Sequence, residues 1–192
     1  MAGAWAEDGE ARSELTSGSA DEALAAIFTG FGSLSYGELA GERMKLGLLL
    51  HDSEEEQDCF SDNTHFSHYY DALGIRNAYL GEYQRNNGTV VSGASLSSLV
   101  AAKDSAMDAE MRAKLDATMA AMENLVERAR TIEAYDQMIA EGNDEGNAAV
   151  QAAIDALVDQ TRTIERVMAL LGLENVELEG SDSLDNPGAV FQ

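Results

Sequence analysis

Apolar side chains recur at three- and four-residue intervals along most of this 192-residue chain, which is the spacing of amphipathic α-helices. A single proline and many alanines, leucines and glutamates also favour helices over strands. The pattern predicts helices near residues 22–31, 35–51, 64–80, 105–132 and 144–171. The last two are long and are joined by a short irregular stretch, so we expect them to pack antiparallel within an all-α helical bundle.

The segments between the predicted helices lack this spacing. Residues 1–20 are small, polar and acidic, and we predict a flexible lead-in there, followed by one helical domain over residues 21–192. Residues 51–64 form a polar loop that is longer than a turn requires. The Asn87-Gly88 pair predicts a small β-hairpin within residues 84–94. Residues 173–192 are interpreted as an extended acidic tail across the bundle, anchored by Val176, Leu178, Val190 and Phe191.

The chain is strongly acidic, with 35 acidic against 12 basic side chains and a formal net charge of −23. This charge argues against nucleic acid as a partner, because nucleic-acid binding requires a cationic surface. It suits a protein that attracts cations. No apolar run is long enough to span a membrane, and the N-terminus lacks the basic and apolar regions of a secretory signal peptide.

The scarce, chemically versatile side chains are concentrated in residues 34–83. All three histidines lie there, His51, His65 and His68, together with the only cysteine, Cys59. His51 and Glu54 form an H-x-x-E motif, which on a helix would put an imidazole and a carboxylate on one face, where both could bind one cation. The alternative is that these histidines cap or bridge helices while the acids face water.

Several common chemistries are excluded by the absence of their motifs. The sequence contains no HExxH helix, no GxxxxGK[ST] phosphate loop and no GxSxG elbow. A single cysteine cannot form an internal disulfide. The acidic neighbours of Cys59 disfavour a reactive thiolate, so we predict that this cysteine is structural or buried.

Three long and unusual strings stand out: GELAGERMKLGLLLHDSEEEQDCFSDNTHFSHYYDALGIRNAYLGEY, AYDQMIAEGNDEGNAAVQAAIDALVDQTR and LEGSDSLDNPGAVFQ. They closely resemble the C-terminal half of the imelysin-like, iron-regulated proteins of peptidase family M75. The residues that best match the recurrent strings of this family are Glu42, Arg43, His51, Asp52, Glu54, Asp58, Cys59, Phe60, Ser61, Asp62, Asn63, Thr64 and His65.

The resemblance implies an all-α fold of two related helical-bundle lobes, exported to the bacterial periplasm or outer envelope and associated with iron supply. On this basis the chain is expected to be the C-terminal lobe, with an N-terminal imelysin lobe or another envelope component of iron uptake as its partner. Leu49 stands where the G-x-H-x-x-E motif of the family has glycine, so the H-x-x-E at His51 can be a different element.

Three functions remain as alternatives. The first is an envelope protein of iron acquisition that binds iron, another divalent metal or an iron-bearing ligand without catalysis. The second is an M75-type metallopeptidase, which needs a metal-bound water and a general base. The third is a non-catalytic interaction lobe, whose polar loop docks the other lobe.

For the metal site, we hypothesise that the loop over residues 51–65 folds back so that His51 and His65 face one polar pocket. Mixed imidazole and carboxylate ligands suit iron and zinc. The predicted metal ligands are His51, Glu54, Asp62 and His65. The predicted further binding residues are Glu42, Arg43, Asp52, Asp58, Asn63 and His68.

Overall fold

The computed structural model describes residues 2–173 and 176–191, which fold as a helical bundle with one small two-stranded sheet. The predicted all-α fold is confirmed. The helices are α1 (Glu10–Ser17), α2 (Ala20–Ser33), α3 (Leu46–Leu50), α4 (Thr64–Leu80), α5 (Leu96–Lys103), α6 (Ser105–Thr131), α7 (Tyr135–Ile139), α8 (Asp144–Leu171) and α9 (Asp182–Asp185). A π-helix, Leu34–Lys45, links α2 to α3. Short 3-10 turns cover Ala2–Trp5, Ser53–Glu55 and Pro187–Phe191.

Side-chain contacts establish that the long helices are antiparallel. Thr118 of α6 donates a hydrogen bond to the Ala156 carbonyl of α8, and Lys114 pairs with Asp159 at 2.8 Å. Residue numbers thus fall along α8 as they rise along α6. Helices α4 and α6 are also antiparallel, because Arg76 pairs with Asp116, whereas Tyr79, further along α4, bonds to the earlier Asp108.

Local signals explain where the two longest helices begin and end. Asp104 caps α6 by accepting hydrogen bonds from the backbone of Ala106 and Met107. Asn143 caps α8 by accepting one from the Gly146 N–H. Gly172 follows α8 at a φ of 80°, a left-handed conformation that glycine adopts without steric cost. These caps are why sequence periodicity located both helices to within a residue.

The apolar faces form two buried clusters. One joins the π-helix, α6, α7 and α8 and contains Leu39, Met44, Met122, Met138 and Ile154. The other joins α2, α4, α5, α6 and α8 around Phe28, Ile75, Tyr79, Met111 and Val167. The methionines of these two clusters are therefore core residues, which fill irregular gaps through their flexible side chains.

The hairpin predicted at Asn87-Gly88 is confirmed. Strands β1 (Glu82–Gln84) and β2 (Val90–Ser92) pair antiparallel, with Tyr83 opposite Val91. The Asn87 side chain accepts a hydrogen bond from the Thr89 N–H, and Gly88 has a φ of 82°. Gly81 ends α4 at a φ of 65°, where a side chain would be strained, and turns the chain into β1.

The C-terminal segment packs along the π-helix. Ser181 donates a hydrogen bond to Glu42 at 2.6 Å, and Ser183 donates one to the Gly41 carbonyl. A Cβ at Gly41 would lie 2.3 Å from the Ser181 Cβ, so the close approach requires glycine there. Two features differ from the predicted extended tail: it contains α9, and the predicted anchor Phe191 is 64% exposed. Residues 174, 175 and 192 of that prediction lie outside the described residues.

The helix predictions missed the short elements. Helices α5 and α7 were not predicted, and the predicted helix over 35–51 is mostly π-helical. Within residues 1–20, predicted as a flexible lead-in, the structure has the Ala2–Trp5 turn and α1. Such short helices have few periodic positions, so pattern alone does not reveal them.

Candidate functional site

Five side chains from three segments form a buried polar cluster beside the core. Glu56 comes from the loop between α3 and α4, His65 and His68 from the first two turns of α4, and Tyr135 and Asp136 from the start of α7. His68, Tyr135 and Glu56 are 0%, 2% and 6% exposed. The His68 and Tyr135 rings meet edge to face, with centroids 5.0 Å apart. We refer to these five residues as the polar cluster.

The polar cluster holds unpaired hydrogen-bonding atoms. Six buried side-chain nitrogen or oxygen atoms have no hydrogen-bond partner within the described residues, and all six belong to this cluster. They are Glu56 Oε2, His65 Nδ1, both ring nitrogens of His68, the Tyr135 hydroxyl and Asp136 Oδ1. A buried polar atom without a partner costs about 1–3 kcal/mol, so a native protein seldom gathers several without a reason.

Burial keeps the cluster histidines neutral. Burial, with smaller contributions from the nearby Arg43 and His65, lowers the pKa of His68 to about 3. Burial also lowers the pKa of His65, although Asp62 opposes this effect. At neutral pH the His68 imidazole is therefore uncharged and keeps a lone pair on one ring nitrogen.

Two acidic groups of the cluster, Glu56 and the Tyr135 phenol, have pKa values shifted toward their neutral forms. Burial raises the pKa of Glu56, a hydrogen bond from Thr64 opposes this, and the carboxylate of Asp136 adds to the rise. Burial and the neighbouring Glu56 raise the pKa of the Tyr135 phenol. Perturbed groups of both kinds in one buried place are typical of a functional site.

Arg43 borders the cluster from the π-helix. It pairs with Asp71 of α4 at 2.7 Å and with Glu38 at 3.4 Å, which compensates its charge. Burial raises the pKa of Asp71, and the Arg43 charge partly offsets that effect. A π-helix is rare and frequently marks a functional region, and here it carries Arg43 toward α4.

The H-x-x-E pair does not share a helix face. Helix α3 ends at Leu50, His51 has a left-handed φ of 53°, and Glu54 lies in the following 3-10 turn. The Nδ1 atom of His51 is 2.7 Å from the Ile139 carbonyl, so this imidazole joins the loop to α7. Asp52 caps the turn by accepting a hydrogen bond from the Glu54 N–H.

The other predicted residues have separate roles. Asp58 accepts a short hydrogen bond from Ser67, and its backbone N–H donates to Thr64. Asp62 is exposed at a φ of 57°, and Asn63 precedes α4 without a side-chain capping bond.

Glu42 accepts the hydrogen bond from Ser181 described above. Of the predicted set, the structure therefore brings together His65, His68 and Arg43.

The predicted burial of Cys59 is wrong. Cys59 is a free, exposed thiol, and the neighbouring Phe60 is wholly exposed at the tip of the loop. A hydrogen bond from the Asp58 N–H to the Thr64 hydroxyl holds the loop against the start of α4. The loop tip between these two residues, which carries Cys59 and Phe60, remains outside the core.

Sequence reasoning missed Glu56, Tyr135 and Asp136. Glu56 lies in the run Glu54-Glu55-Glu56, where pattern does not distinguish the one carboxyl group that is buried. Tyr135 and Asp136 lie far along the chain, although inside one of the strings that carried the family resemblance. The family resemblance of that string was the sequence signal that could have pointed to Tyr135 and Asp136.

The family model for imelysin, peptidase family M75, matches residues 1–164, and the chain belongs to this family. The match includes residues 1–20, whereas the tail string lies beyond it. No curated protein matches the chain. Among the helices of residues 2–173 and 176–191, none has the length and apolar character needed to cross a membrane.

Proposed function

We propose that this imelysin-family chain is an envelope protein of iron acquisition, which binds iron or an iron-bearing ligand without catalysis. The observation that supports this proposal is the concentration of six unpaired buried polar atoms in the polar cluster. A bound ligand would supply the missing partners. The acidic surface, with a net charge of −23, attracts cations toward such a site.

The donors of the cluster fit iron by their chemistry. Imidazole nitrogen and carboxylate oxygen are common iron ligands, and a tyrosine oxygen ligates iron in some proteins. Among the described residues there is no group of three His, Cys, Asp or Glu side chains placed to hold a metal. Metal binding at the cluster would therefore rely on Tyr135 beside His68 and Glu56, and it would release the phenol proton.

Titration calorimetry with ferrous iron under argon, and with zinc, tests the proposal. A His68→Phe, Glu56→Gln double variant should lose more than about tenfold in affinity, because it removes two ligands of different chemistry. The matched control is His51→Ala, Glu54→Ala, which removes the H-x-x-E pair outside the cluster. Loss of affinity only in the control would instead support the loop site with His51, Glu54, Asp62 and His65. Absence of binding in every form would contradict the metal proposal.

A peptidase activity is the second candidate. The family description names it, and Glu56 is a buried carboxyl group with a raised pKa near the Tyr135 phenol, as a general acid or base could be. Cleavage of a mixed peptide library by the zinc-loaded protein, lost in Glu56→Gln, would replace the non-catalytic proposal with this one.

We further propose that an N-terminal imelysin lobe docks on the loop tip. Phe60 is fully exposed at this tip, and a docked lobe would cover it together with Cys59. Addition of a separately produced lobe should slow alkylation of the neighbouring Cys59. Unchanged alkylation of Cys59 would count against docking at this place.

A further inference from the structure

The β-hairpin projects from the bundle beside α4, and the space between them is lined by none of the residues of the polar cluster. A cavity of about 1130 Å³ lies between the outer side of α4 and the two strands. All six strand residues are exposed, including Tyr83, Val90 and Val91, which are residue types that normally pack in sheets. A two-stranded hairpin without a packed face is only marginally stable in water, so an occupant of this cavity would give the hairpin a face to pack on.

The charge of the cavity differs from that of the rest of the chain. Acidic side chains outnumber basic ones by 35 to 12 in the whole sequence. The charged residues that line the cavity are Arg76, Arg85 and Glu82, so the lining carries two positive charges against one negative. Arg76 pairs with Asp116 at 3.0 Å. Arg85 has no ion pair within the described residues, which leaves its guanidinium group available for an anion.

Aromatic rings line both walls. Tyr69 and Tyr70 lie on the α4 wall with ring centroids 5.2 Å apart, and Tyr83 lies on the strand wall. Tyr70 is 61% exposed, and its ring stacks on that of Phe66, which lies one helical turn earlier in α4. Aromatic side chains favour a further ring against their faces or edges, and their hydroxyl groups add polar contacts.

We propose that this cavity binds a small anionic aromatic ligand. The ring of the ligand packs between the tyrosines of α4 and Tyr83, and its acidic group pairs with Arg85. The volume is slightly larger than that of most small-molecule sites, so the cavity has room for a ligand with two or more rings. The site is separate from the polar cluster and does not depend on iron binding there. A second copy of the chain is a poorer occupant, because each copy carries a net charge of −23.

Three probes of related shape test the chemistry on the intact protein. They are 2-naphthoate, its uncharged amide 2-naphthamide, and cyclohexanecarboxylate, which keeps the anion without the aromatic rings. Chemical-shift titration should give saturable binding of 2-naphthoate, with perturbed resonances at Tyr70, Tyr83 and Arg85. The other two probes should bind at least tenfold more weakly, because each lacks one of the two recognition elements.

Variants locate the site and control for folding. Arg85→Gln should weaken 2-naphthoate binding at least tenfold, whereas Arg85→Lys retains most of it and Arg162→Gln on α8 changes nothing. Tyr70→Leu should weaken it as well. Arg85, Tyr70 and Arg162 are all exposed, so these variants keep the fold, which circular dichroism verifies. Equal affinity for 2-naphthoate and 2-naphthamide, unchanged binding by Arg85→Gln, or no saturable binding of 2-naphthoate would each overturn the proposal.

Discussion

Two buried tyrosines at different places in the bundle have opposite hydrogen-bonding states. Tyr79 lies at the end of α4, and its hydroxyl group donates to Asp108 Oδ1 at 2.9 Å. Ser97 donates to the same oxygen at 2.7 Å, which completes a buried network between α4, α5 and α6. Tyr135 is just as deeply buried, but its hydroxyl group has no partner within the described residues. Burial raises the phenol pKa in both cases.

The difference separates a structural network from the proposed binding site. Paired polar groups in a core fix the relative positions of helices at little net cost in free energy. Unpaired buried polar groups destabilise the folded state, because they lose hydrogen bonds to water and gain none within the protein. The network at Asp108 joins three helices, whereas the unpaired atoms of the polar cluster are the ones that the proposed ligand would pair.

The largest expected effect is at the paired network. Asp108→Ala removes the acceptor of two buried donors, Tyr79 and Ser97, and should lower the free energy of unfolding by about 3 kcal/mol. Urea denaturation measures this. The control is Asp116→Ala on the same helix, which breaks only the half-exposed pair with Arg76 and should cost about 0.5 kcal/mol. Similar losses in both variants would mean that the buried network is not special.

The next effect, which is smaller per pH unit but accumulates as pH falls, is a pH dependence that originates in the polar cluster. The pKa of His68 is near its usual value in the unfolded chain and about 3 in the folded protein. Between these values the unfolded state binds more protons, so stability is complete above about pH 6.5 and is lost as pH falls. His68→Phe should remove this dependence, which amounts to about 1.4 kcal/mol per pH unit.

Urea midpoints from pH 7 to pH 4 test the His68 prediction directly. Phenylalanine can keep the edge-to-face contact with Tyr135, so the variant should fold. The groups around His68, including Glu56 and His65, titrate in both proteins and largely cancel in the comparison. Parallel stability curves for the two proteins would show that His68 is not held neutral by burial.

The smallest effect is the sharpest form of the comparison, because the same substitution is made at both tyrosines. Tyr79→Phe should cost about 1 kcal/mol, since the hydrogen bond to Asp108 is lost. Tyr135→Phe should be neutral or slightly stabilising, since it removes an unpaired buried hydroxyl group. Thermal unfolding of both variants at pH 7 measures the difference. A greater loss at Tyr135 than at Tyr79 would reverse the assignment of the two regions.

The sequence by itself determined the long elements of this protein. Periodicity over four or more turns located α4, α6 and α8, because a helix of that length must place an apolar residue on its buried face in nearly every turn. The Asn87-Gly88 turn located the hairpin, because its backbone conformation is a local property of those two residues. The strings over residues 37–83, 134–162 and 178–192 carried the resemblance to the family, and the match of the family model to residues 1–164 shows that the chain belongs to it.

Only the tertiary structure decided which polar residues meet. Glu56, His68 and Tyr135 are 12 and 67 residues apart along the chain, and nothing local marks Glu56 as the buried acid of its run. His51, by contrast, belongs to the H-x-x-E motif that suggested a metal site, yet the end of α3 turns its imidazole toward the Ile139 carbonyl. The physical reason is that helix formation depends on neighbours in sequence, whereas desolvation and hydrogen-bond pairing depend on what the folded chain packs against each atom.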